Sequence, residues 1–251
     1  MKDALILAAS YLGPEGFGND QTGLRPWPEA LAEKLAGGEL DALHWSLLSA
    51  SDPSRFLRMD LMCRLGFLAT ELLAAGFDRL SEAQRERTGV CVESFTGSLD
   101  TDIRFAQTPR PSLFAYTLPS TVMGEICIRH GFKGPVLSLI TGALGGGPAS
   151  PGGGAKNHAA VWVSRPAGLE TCATALGEGR DWLRTGEADL VLCLSLEAMN
   201  PSTAQTVDLP AILRPPGWHA VAVLLGRAGQ SAVASFENTS RVVCIPPGMT
   251  F

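Results

Sequence analysis

Apolar residues recur along this chain in two rhythms, and the alternation between them outlines the fold. In "LMCRLGFLATELLAAG" (61–76) Leu61, Leu65, Leu68 and Leu72 fall at helical spacing. In "PSTVMGEICIRHG" (119–131) Val122, Met123 and Ile126 do the same, as do Leu169, Cys172, Leu176 and Leu183 in "LETCATALGEGRDWLRTG" (169–186). Each pattern ends on a glycine, which predicts one-sided helices stopped at Gly76, Gly131 and Gly186. Between them lie short continuous apolar runs: "TGVCVESF" (88–95), "GPVLSLIT" (134–141) and "ADLVLCLSL" (188–196). Such runs suit strands covered on both faces. "ALILAA" (4–9) reads as a first strand. "WHAVAVLLG" (218–226) and "SAVASFE" (231–237), joined by turn residues, read as a terminal antiparallel hairpin. The expected fold is α/β, a mostly parallel mixed sheet with helices on both faces.

Two stretches break the rhythm. Residues 11–60 hold prolines and glycines around a short helix near Pro28 to Leu35 and read as an elaborated crossover; residues 142–167 are a flexible Gly/Pro-rich insertion. The whole of 1–251 is expected to form a single domain, since 45% hydrophobic residues suffice for a sizeable core.

Charge narrows the function classes. A formal net charge of −5, with lysines and arginines scattered, offers no field for a polyanion, so nucleic acid and anionic membrane are excluded as expected partners. No run reaches the length of a membrane span, and the N-terminus lacks the pattern of a targeting signal, so a cytoplasmic protein is expected. The six cysteines show no C-x-x-C and the four histidines no ligand spacing, so they are expected as free thiols in a reducing compartment, without metal. The glycine run "GALGGGPASPGGGAK" (142–156) follows a strand as a phosphate loop would. It lacks Gly-Lys-Ser/Thr leading into a helix, and no nucleotide or other cofactor is expected.

Three segments carry a family resemblance: "RFLRMDLMCRLGFLATELLAAGF" (55–77), "FAYTLPSTVMGEICIRHGFKGPVLSL" (114–139) and "GRDWLRTGEADLVLCLSLE" (179–197). Across roughly residues 50–240 they resemble, in the same order, the N-terminal half of a β-ketoacyl synthase of thiolase-like fold. The "FAYTLP" segment is similar to the truncated ketosynthase-like proteins of aryl polyene and related polyketide pathways, described as chain-length factors. In active members the Gly-Pro strand ends in Thr-Ala-Cys, and the cysteine heads the next helix, where N–H groups stabilise a thiolate able to accept an acyl chain.

This chain departs from that pattern. Counting forward from Gly134 puts Ala143 at the cysteine position; counting back from Gly186 puts Leu169 there. The resemblance places the family's two catalytic histidines in a second half of the fold, beyond Phe251. It therefore implies a non-catalytic subunit that pairs with a catalytic β-ketoacyl synthase, as a heterodimer, or with its own copy. Such a subunit would shape the acyl tunnel through Phe114, Tyr116, Pro119, Leu139 and Thr141, with no enzyme activity of its own. An acyl carrier protein is a candidate second partner, for which Arg55, Arg58 and Arg64 are the candidate surface. The alternative is a minimal acyltransferase or thioesterase using Cys172, three residues past Leu169 and about one helical turn in. Against it stands the plainer reading of Cys172 as a small residue on a buried helix face.

Overall fold

In a computed structural model of the chain, the residues described are 4–44, 56–141, 172–200, 203 and 218–227. The elements in order are β1 (Ala4–Gly13), β2 (Gly16–Asn19), β3 (Gly23–Arg25), α1 (Glu29–Ala36), α2 (Leu61–Glu71), α3 (Ala74–Phe77), α4 (Glu82–Glu86), β4 (Thr88–Ser94), α5 (Leu99–Gln107), α6 (Pro111–Phe114), α7 (Thr121–His130), β5 (Val136–Ile140), α8 (Ala173–Thr185), β6 (Leu190–Ala198) and β7 (Trp218–Arg227). Short 3₁₀ turns lie at Leu40–Ala42 and Phe56–Arg58. The strands form one sheet in the order β3-β2-β1-β7-β6-β4-β5.

The pairings explain why the sequence reads as mostly parallel. β4 runs parallel to both β5 and β6, whereas β7 is antiparallel to β6 and β1, and β2 to β1 and β3. Five of the seven strands therefore point one way, with β2 and β7 opposed. The second strand expected for the terminal hairpin, 231–237, lies outside the described residues, as do the insertion 142–167, Ala143 and Leu169. Of residues 11–60, those described hold the end of β1, then β2, β3 and α1.

Alternate residues of the central strands serve two cores. Leu190, Leu192, Leu194 and Leu196 of β6 join Val90, Val92, Ala222 and Leu224 under α2 and α7. Val191 and Cys193 join Cys91, Val221, Val223 and Leu225 under α8. Every residue of β4 and β6 is buried, as continuous apolar strands covered on both faces require.

Both helical faces approach β6 through a glycine. A side chain at Gly66 on α2 would start 2.5 Å from Val122 Cγ2 and 3.0 Å from Leu196 Cδ1; one at Gly179 on α8 would start 2.7 Å from Cys193 Sγ.

α2 departs from the one-sided expectation. All of Leu61–Thr70 except Arg64 is buried, because the sheet takes one side and α7 and the 56–59 turn the others. It also stops earlier than Gly76: Leu72 is its C-cap, and Gly76 lies inside α3. Gly131 and Gly186 do end α7 and α8, in the left-handed conformation at φ 70° and 80°.

Candidate functional site

In open α/β sheets ligands gather beyond the carboxyl ends of the strands. Here that end of the sheet is where β4, β5 and β6 finish, where β7 begins, and where α8 starts its return. The strands deliver Glu93, Ser195, Glu197 and His219 to the α8 side, all four buried.

Glu93 is the central group. Its Oε2 accepts a hydrogen bond from the backbone N–H of Ala175, the third residue of α8, at 2.6 Å. The side chain thus caps the helix from the sheet, occupying N–H groups that would otherwise receive an anion. Burial pushes its carboxyl up to about 7; the nearby Glu197 adds to the rise, and the backbone N–H groups of Ala175 and Thr174 oppose it.

Glu197 does a different job. It accepts from the backbone N–H groups of Phe95 and Thr96 and, at 2.9 Å, from Thr96 Oγ1, which pins the turn after β4. Burial raises its pKa against those hydrogen bonds. His219, facing Glu197 across the β6–β7 ladder, lies with Nε2 3.5 Å from Ser195 Oγ, and burial lowers its pKa to about 4, so the ring is neutral at pH 7.

Cys172 sits closer to the helix start than its sequence position suggests. It is the N-cap of α8 rather than a residue one turn in, because α8 begins at Ala173. Its side chain makes no capping hydrogen bond, and it is fully buried with Cys91, Ala175 and Cys193. Burial foremost, then the charge of Glu93 and the neighbouring Cys91, hold the thiol well above its ordinary pKa. A thiolate here would meet a carboxylate where a nucleophilic cysteine needs positive potential.

The five candidate tunnel or partner residues fall into four places. Thr141 closes β5 by donating its backbone N–H to Ser94 O at 2.9 Å. Pro119 and Ile140 both abut Gly97 in the same turn, where a Cβ would lie 3.3 Å and 2.9 Å from them. Leu139 instead packs under α8 with the cysteines. Tyr116 turns to the opposite core and reaches Glu125 with its hydroxyl at 3.4 Å, while Phe114 is 60% exposed beside Phe105. The edge strand β5 leaves Val136 and Ile140 exposed, and Leu118 is exposed as well.

Of the candidate arginines, Arg58 and Arg64 line a cleft of about 530 Å³ together with Arg104 and Arg110; Arg55 lies outside the described residues. Among the described residues no group of three His, Cys, Asp or Glu side chains could hold a metal ion, and no helix is long and apolar enough to cross a membrane.

Sequence reasoning missed Glu93, Glu197 and His219 as a set. The available signal was an acid following an apolar run in "TGVCVE" and again in "LVLCLSLE", since a carboxylate in a doubly covered strand needs a buried partner.

No family profile and no curated protein matches the sequence. Solved structures do match in shape. The ishigamide ketosynthase/chain length factor is 19% identical over 90% of this chain and 62% of its own, with a TM-score of 0.55. A structure of a ketosynthase in complex with its chain length factor from Xenorhabdus doucetiae is 15% identical over 89% and 79%, with a TM-score of 0.50. A type II polyketide-synthase acyl-carrier protein in complex with its ketosynthase is matched at 14% identity over 90% and 63%, with a TM-score of 0.51. This chain spans less than two thirds of the first and third of these. With its sheet order, its two covered faces and this breadth of structural likeness, the chain has the α/β fold of the thiolase-like ketosynthases.

Proposed function

We propose that the chain is a non-catalytic, ketosynthase-like subunit of chain-length-factor type, which pairs with a catalytic β-ketoacyl synthase in the cytoplasm and helps shape an acyl tunnel in fatty acid or polyketide synthesis. The observation that carries this reading is Glu93. The N–H groups that would stabilise a nucleophile or oxyanion at the head of α8 are already taken by an internal carboxylate, and the thiol beside them is buried and held protonated.

The partner surface in this reading is the β5 edge. Its outer hydrogen-bonding groups are unpaired among the described residues, and Val136 and Ile140 are exposed along it, with Pro119 beside Ile140. A second chain could extend the sheet there. Structures of similar shape bear the descriptions of a ketosynthase with its chain length factor and of an acyl-carrier protein with its ketosynthase, which supports the same two partners here.

The test is co-expression with a catalytic β-ketoacyl synthase followed by size-exclusion chromatography with light scattering. A stable heterodimer that the double substitution Val136→Lys, Ile140→Lys abolishes is expected, with no acyl adduct on Cys172 after incubation with an acyl-CoA donor. Absence of any complex, or an acyl adduct on this chain that Cys172→Ala removes, would overturn the proposal.

A further inference from the structure

We draw no further inference here: the strongest candidate, the pair of buried carboxylates Glu93 and Glu197 at the carboxyl end of the sheet beside the head of α8, belongs to the site already described, and a switch there would rest on the titration of Glu93 alone.

Discussion

Glu93 shows how a single side chain can close a site. The carboxyl value of about 7 lies above the ordinary 4.5, so the unfolded chain releases this proton first. Its contribution to stability is therefore fully present at low pH and declines as pH rises from 4.5 through about 7. Glu93→Gln keeps an oxygen to accept from Ala175 and has no proton to lose. The variant is expected to match the native protein near pH 4 and to exceed it at pH 8 by up to about 3 kcal/mol. Chemical denaturation at the two pH values measures this, and a pH-independent difference would contradict the placement of the carboxyl. His219 acts in the opposite sense, since its value of about 4 lies below the ordinary 6.5, and stability is lost as pH falls from 6.5 through about 4.

The cysteines give a second test at the same scale. Cys63, Cys91, Cys172 and Cys193 are buried, whereas Cys127 is half-buried with its thiol raised to about 11. Iodoacetamide at pH 8 should modify Cys127 first among these five and reach the others only after denaturation, read by peptide mass spectrometry. Rapid native labelling of Cys172 would restore it as a nucleophile. The isolated thiols and their burial were legible from apolar context. The carboxylate beside Cys172 was not, because Glu93 lies 82 positions before Ala175 in the chain and meets α8 only through the fold.

At the scale of elements, helical periodicity located α2, α7 and α8, and the glycine stops of the last two. It misjudged α2, since a helix packed on several sides carries apolar residues all round, and Leu72 belongs to its cap. The glycines within the helices divide by what surrounds them. Gly66→Val would drive a branched side chain into Val122 and Leu196, and a loss of about 3 kcal/mol or more is expected. Gly124 lies on the exposed side of α7, where an added methyl group would meet nothing within 4 Å, and Gly124→Ala should gain up to about 1 kcal/mol. Thermal melts of the two variants should move in opposite directions. The short strands β2 and β3 escaped the sequence pattern because their glycine-rich residues carry few apolar side chains to alternate.

For the whole molecule, two covered faces and one open edge organise the architecture. β6 and β7 lie centrally and β5 at one end, with Leu137 and Leu139 turned to the α8 core and Val136 and Ile140 exposed, so a charge at either exposed position stays outside both cores. The Val136→Lys, Ile140→Lys variant should therefore keep the native melt within about 1 kcal/mol while losing a partner that pairs with that edge. Loss of folding instead would mean that the edge supports the chain's own core.

Local order along the chain was enough to specify the α/β class, the main helices and five of the seven strands, β1, β4, β5, β6 and β7. Each of these depends on residues within a few turns of one another, where periodicity and chain punctuation act. Strand neighbours, the capping of α8 by Glu93, the pairing of His219 with Ser195 and the gathering of four arginines were decided by tertiary packing. The cap joins residues 82 positions apart and the Ser195–His219 contact residues 24 apart, while the arginines come from the 56–58 turn, α2, α5 and the start of α6. Their energies depend on burial and distance, which exist only once the sheet has formed.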